Sequence, residues 1–291
     1  MFFFKKLFGH RSGQNTTAED ISDLTCGATD VGKERTNNED YFLISPKKSL
    51  YIVADGMGGH NAGEVASLNA VEAVNEYLAP ELLYRVEVDG EQLAAEMKAA
   101  LQQANRKLLE MAGTNAEYRG MGCTIVVALI VGNDLHLCHV GDARAYASGE
   151  EAISLLTTDH SKVMDLVKAG QMKLEEARTS PLKNELNQAI GSPLPIEPEY
   201  THYALHDRDK ILLCSDGLWD MLSDEEIYKI LLQKKPAKAL CEELIAAANQ
   251  AGGHDNITVV VIEHHLRDVA PKASEPDPEP KEPDADSLPG E

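Results

Sequence analysis

Four aspartates stand beside glycines where strand-like segments begin or end. Asp55-Gly56 follows YIVA, Gly141-Asp142 follows LHLCHV, and Asp216-Gly217 follows ILLCS. Asp255 sits in Gly252-Gly253-His254-Asp255-Asn256, just before ITVVVI. Singly, each reads as turn chemistry, since Asp-Gly is a common turn dipeptide. Two contexts argue for more. Asp55 leads into the glycine-rich GMGGHNAGEVAS and Asp216 into LWDMLSDEE, both helix entries and not two-residue hairpins. Carboxylates delivered to one place repel each other, and burial raises that cost, unless cations neutralise them. Oxygen donors without a Cys/His cluster select Mg²⁺ or Mn²⁺ over zinc. Two such ions can make water nucleophilic near neutral pH and hold a phosphoryl oxygen. A phosphate also needs a positive clamp. Arg35, in the turn-rich loop 30–40, offers a planar fork suited to phosphate oxygens. As an isolated arginine it would read as a surface ion pair.

These residues need elements to carry them. Strand-like runs occupy 41–45, 49–54, 123–131, 135–140, 143–147, 210–214 and 257–262. Several are apolar at consecutive positions, as expected for strands buried on both faces. Gly132-Asn133-Asp134 and Ser148-Gly149 are turn signals, so the middle of the chain reads as hairpins. Helical period appears at Leu93, Met97, Leu101, Ala104, Leu108 and Met111. Asn61 with Glu64, and Ser223 with Glu226, resemble capping boxes that open helices toward Leu78 and Leu232. Helices inserted between groups of strands favour packed antiparallel sheets covered by helices over a doubly wound parallel sheet. One domain is expected over residues 21–266. Residues 267–291, rich in proline and acid, read as an extended tail.

Composition excludes several classes. A net charge of −21 argues against nucleic-acid binding, which needs basic surface. No run approaches the ~20 apolar residues of a membrane span. Five cysteines, an odd count without a C-x-x-C pair, suit reduced thiols in a cytoplasmic protein better than a disulfide framework. At the start, Phe2, Phe3, Phe4, Leu7 and Phe8 lie beside Lys5, Lys6 and Arg11. Residues 1–11 could make weak contact with an anionic membrane surface; a segment docked on the domain or left flexible is the alternative.

Together the motifs resemble the metal-dependent Ser/Thr protein phosphatases of type 2C (the PPM family) in their compact bacterial form. The matching pieces are RTNNED at 35–40, VADGMGGH at 53–60, GEVAS at 63–67, HVGDAR at 139–144, T-x-D-H-S at 157–161, CSDGLWD at 214–220 and GGHDNIT at 252–258, in the family's order. The resemblance implies an α+β fold, an α-β-β-α sandwich of two packed antiparallel sheets flanked by helices. It implies hydrolysis of phosphoserine or phosphothreonine by metal-activated water, without a covalent phosphoenzyme. Asp55 would bridge two Mn²⁺ or Mg²⁺ ions, Asp216 and Asp255 would hold the first, and the Gly56 carbonyl the second, with Asp40 close by through water. Asp142 with Asp216 would form a weaker third site. Arg35 would bind the substrate phosphate, and Asn256 would support the ligands from behind. Animal members carry a histidine two residues after the bridging aspartate, where this chain has Met57; His60 could serve as general acid instead. Residues 159–191 would correspond to a mobile flap, with Val163, Leu166 and Val167 in a short helix closed by Gly170. Asn187-Gln188 stand where many relatives have Thr-Arg. Phosphoprotein substrates and an opposing Ser/Thr kinase would be the partners.

Two rivals remain. Cys138-His139-Val140-Gly141-Asp142-Ala143-Arg144 satisfies C-x2-G-x2-R, the signature of a cysteine phosphatase, although Asp142 would place negative charge inside the phosphate cradle. A phosphatase-like domain that only binds phosphoproteins is the other, disfavoured because every expected acid is present.

Overall fold

The computed structural model describes residues 24–58, 62–79 and 90–266. The apolar runs form the interiors of two five-stranded antiparallel sheets. One sheet has the order β1 (Thr25–Asp30), β10 (Ile257–Glu263), β9 (Lys210–Cys214), β6 (Arg144–Ser148) and β7 (Ile153–Leu155). The other runs β2 (Asp40–Ser45), β3 (Leu50–Met57), β4 (Gly122–Val131), β5 (Asp134–Val140) and β8 (Glu199–Ala204).

Alternate side chains of a strand point to opposite faces, and both faces are used. Along β3, Leu50, Ile52 and Ala54 pack under helices, while Tyr51 and Val53 face the other sheet. Along β9, Leu212 and Cys214 face helices, while Ile211 and Leu213 face the other sheet. Helices α1 (Ala62–Tyr77) and α2 (Gly90–Thr114) cover the β3–β4–β5 face. Helices α5 (Asp216–Trp219), α6 (Asp224–Leu231) and α7 (Ala237–Ala251) cover the β10–β9–β6 face. The layers are therefore helix, sheet, sheet, helix, as expected. Two short helices, α3 (Lys162–Lys168) and α4 (Leu174–Ala177), lie in the long crossover between β7 and β8.

Local signals behave as their chemistry predicts. Leu93, Met97, Leu101, Ala104 and Leu108 are the buried stripe of α2. Ser223 and Glu226 form the expected capping box at α6: Glu226 N donates to Ser223 Oγ (3.3 Å), and Ser223 N donates to Glu226 Oε2 (2.8 Å). Helix α3 ends at Ala169, and Gly170 follows with φ 69°, the left-handed residue one step beyond the cap.

Strands β1, β7 and β8 and helices α4 and α7 are among the elements that the sequence did not announce. Strands β1, β7 and β8 are three of the four sheet edges. Edge strands such as EYTHYA bury little on one side and carry no apolar run. Helix α7 did carry a stripe, Leu240, Cys241, Leu244 and Ala248. Strand β3 also runs past Ala54 to Met57, so Asp55 lies within the strand and not at its end. Residues 1–20 and 267–291 lie outside the described residues, as do His60 and Asn61. No helix among the described residues is long and apolar enough to cross a membrane.

Candidate metal centre

Strand register places the first pair of acids. Asp40 on β2 stands directly opposite Asp55 on β3, which in turn faces Thr124 on β4. Both aspartates share the strand face of Phe42 and Val53, so they point toward the second sheet. That sheet delivers Asp216 just past β9 and Asp255 just before β10. Asp142 leaves β5 in the turn to β6. Four of the predicted acids and Asp40 thus meet at one end of the space between the sheets, and their charges act on one another. Loss of hydration, then repulsion from Asp40, Asp216, Asp142 and Asp255, pushes the Asp55 carboxyl well above its ordinary range. Burial, followed by repulsion from Asp216 and Asp159, does the same to Asp142. Burial raises Asp40 to about 8 against hydrogen bonds from Ser215 and Thr258, and burial plus Asp255 and Asp220 raise Asp216 to about 7.

Little compensates this charge. Arg35 Nη2 donates to Asp255 Oδ2 at 2.7 Å, and Arg144 is already committed to Asp159. Asp40 Oδ1 and Asp216 Oδ1 are buried and have no hydrogen-bond partner among the described residues. An all-oxygen group with orphaned, mutually repelling carboxylates suits a hard divalent cation and little else.

Surrounding residues hold these acids in place. Asn256 accepts from Glu39 N (2.8 Å) and donates to Val31 O (3.0 Å) and Asn37 O (2.9 Å), pinning the Arg35 loop to the start of β10. Lys33 N donates to Gly253 O (2.7 Å) in the same seam. Two glycines are required by close approach. A Cβ on Gly217 would strike Asn256 O, and one on Gly56 would strike Gly63 O and Glu39 O. The sequence reading missed Ser215, which donates to Asp40 Oδ2 (2.7 Å) and accepts from Thr258 N (3.0 Å). It also missed the buried Arg144–Asp159 pair and Trp219, whose Nε1–H donates to Asp142 O (3.1 Å). Only their presence in the motifs HVGDAR, T-x-D-H-S and CSDGLWD hinted at them.

The chain matches the protein phosphatase 2C family over residues 29–258. It belongs to that family. The protein phosphatase PhpP of Streptococcus pneumoniae is 37% identical over 243 residues, covering 82% of this chain and 97% of PhpP. A Streptococcus agalactiae serine/threonine phosphatase structure superposes with TM-score 0.76 at 37% identity, covering 84% of this chain and 99% of that one. A PstP catalytic domain solved in complex with two manganese ions gives TM-score 0.71 at 34% identity, covering 82% of this chain and 96% of that one.

Within this type 2C domain the cysteine-phosphatase reading fails. Cys138 is fully buried in the core beneath the helices, its thiol pushed up to about 12 by burial, and Arg144 is held by Asp159. A separate histidine group also differs from the expected absence of such clusters. His139, His160 and Glu199 offer ligand atoms within 4.8 Å of one another. The two imidazoles stack at 4.7 Å with 25° between planes. Thr158 O (2.9 Å) and Gly141 N (3.3 Å) each engage one of these rings.

Proposed function

We propose that Asp55, Asp216, Asp255, Asp142 and Asp40 form the working centre of this protein serine/threonine phosphatase, with Arg35 as its phosphate clamp. Members of the protein phosphatase 2C family are metal-dependent hydrolases of phosphoproteins, and this chain is one. The observation that carries the residue assignment is the meeting of five acids from five separate segments, two with orphaned buried oxygens.

Asp55 would bridge two Mn²⁺ or Mg²⁺ ions. Asp216 and Asp255 would hold the first, the Gly56 carbonyl the second, and Asp142 with Asp216 a weaker third. When bound, such ions make solvent nucleophilic near neutral pH and neutralise phosphoryl oxygens. The remaining work falls to the protein. Arg35 uses Nη2 on Asp255, and its Nε and Nη1 have no partner among the described residues, so two donors are free for phosphate oxygens. Asn256 keeps that loop in register with the acids. Ser215 orients Asp40. The role of leaving-group acid stays with His60 as a sequence-based proposal. A His60→Ala variant with unchanged turnover removes it. A cytoplasmic setting and an opposing Ser/Thr kinase belong to this proposal, supported by five unpaired cysteines and the phosphoprotein chemistry.

Turnover of a phosphothreonine peptide tests it. Activity is expected in Mg²⁺ or Mn²⁺, none in EDTA, and full activity in Cys138→Ser. Activity that survives EDTA and vanishes in Cys138→Ser overturns the assignment.

Proton linkage supplies a second test. In the metal-free folded protein Asp40 and Asp216 keep protons up to about 8 and about 7, whereas unfolded aspartates release them near 4. The folded state therefore binds more protons, and metal-free stability falls as pH rises through this window. A cation must displace the same protons. The gain in Tm on replacing EDTA by Mg²⁺ is thus expected to grow from about pH 6 to about 8.5, by about 2–4 °C for each kcal/mol of tighter binding. A gain that shrinks with rising pH contradicts the metal assignment.

A further inference from the structure

The crossover from β7 to β8, residues 156–198, contributes no strand to either sheet, yet both its ends are fixed beside the aspartates. His160 N donates to Gly141 O at 2.9 Å, next to Asp142. Ile190 exchanges backbone hydrogen bonds with Cys123, which faces Gly56 in the β3–β4 register. Between these anchors the segment is held to α5, the helical turn that starts at Asp216, by polar contacts. Arg178, which follows α4, donates from Nη2 to Trp219 O (2.9 Å) and Leu222 O (2.8 Å). Lys183 Nζ reaches Asp220 Oδ2 at 2.6 Å. Asp159 takes Arg144 through both oxygens (2.9 and 2.7 Å), and the guanidinium lies 3.8 Å over the Trp219 ring.

Apolar packing under this segment is incomplete. A half-open pocket of about 250 Å³ lies against it, with Leu155, Val163, Met164 and Leu174 on one side and Arg144, Asp159, Arg178 and Lys183 among its charged lining. Leu174 is 60% exposed. A close-packed interior fixes its neighbours by contact alone. Between its buried residues Val163, Ala177 and Ile190, a segment bordering an open pocket leans more on its polar latches.

We propose that Arg178 is a positioning residue that sets the wall of the substrate site. By closing on the carbonyls of Trp219 and Leu222 it holds the crossover against the segment bearing Asp216, and so shapes the surface that a phosphoprotein chain meets beside the aspartates. This rests on the phosphatase assignment above and adds a determinant of substrate selectivity. A small aryl phosphate needs only the acids and Arg35; a peptide also needs the wall. Loss of the latch therefore falls on peptide affinity. The chain carries its own reporter, because Trp219 is its sole tryptophan and only 4% exposed.

The test compares wild type, Arg178→Ala and Arg178→Lys in the full chain with Mg²⁺. Arg178→Ala is expected to raise KM for a phosphothreonine peptide about tenfold, as two charge-assisted hydrogen bonds are lost. Its kcat on p-nitrophenyl phosphate should stay within about twofold of wild type, since Arg178 touches none of the five acids. Acrylamide should quench Trp219 more strongly in Arg178→Ala, and Arg178→Lys, with one donor arm, should recover part of both effects. Unchanged peptide KM and unchanged quenching overturn the proposal. Equal losses on both substrates, unrescued by lysine, overturn it too, by marking Arg178 as merely structural. A wild type that hydrolyses neither substrate overturns the phosphatase assignment and the selectivity claim, while quenching still reports whether the latch exists.

Discussion

Asp55→Asn is expected to lower turnover of a phosphothreonine peptide by about a thousandfold, the scale of removing a central electrostatic group from an active site. The same change should make the metal-free protein more stable. The opposite signs have one cause. Asp55 is raised well above its ordinary range first by lost hydration and then by four neighbouring aspartates. Without cations that repulsion opposes folding; with cations it becomes their binding energy. Asparagine keeps the shape and carries no charge at any pH, so the metal-free fold no longer has to take up a proton at this position. Tm in EDTA should rise by a few degrees, at about 2–4 °C per kcal/mol for a domain of this size. Added Mg²⁺ should stabilise the variant less than wild type. Melting curves with and without Mg²⁺, alongside steady-state kinetics, check both halves. A variant that loses activity and also melts earlier in EDTA would place Asp55 in a structural role.

The second large effect belongs to Arg35. Arg35→Ala should lower kcat/KM on the same peptide about a hundredfold, the scale of losing a bidentate charge-assisted contact with phosphate. Stability should barely move. The Arg35–Asp255 pair is short at 2.7 Å, but the side chains are 53% and 34% exposed. Exposed pairs contribute less than about 1 kcal/mol. Arg35→Lys should recover only part of the loss, because an ammonium is a point charge and cannot present two parallel donors. Kinetics of the three proteins, with urea melts as control, decide the matter. Equal kcat/KM in wild type and Arg35→Ala would leave the phosphate without its proposed clamp.

Legibility followed burial. Strands β3, β4, β5, β9 and β10 were readable because both faces are buried, which writes an unbroken apolar run into the chain. Strands β1, β7 and β8 were not, because an edge asks less of its side chains; β2, the fourth edge, was readable only because Tyr41, Phe42, Leu43 and Ile44 make an apolar run of their own. Helix α7 was overlooked although its stripe was present. Among site residues, the acids were legible through glycine neighbours that need close backbone approach, as Gly217 does against Asn256 O. Ser215 and Trp219 carried no such mark. Their roles arise from a hydrogen bond across 175 residues of chain, Ser215 to Asp40, and another across 77, Trp219 to Asp142.

By itself the chain determined which elements form and which chemical groups they bring to their ends: apolar strands, tight glycine turns and carboxylates with one guanidinium nearby. Only the tertiary structure decided that Asp40 and Asp55 face each other across two strands, that Asp216 and Asp255 come to meet them from the second sheet, and that Arg144 is held by Asp159. Local propensity acts over a few residues. Register and sheet packing decide which distant residues share a low-dielectric space, and a carboxylate is changed by those neighbours far more than by the residues next to it in sequence.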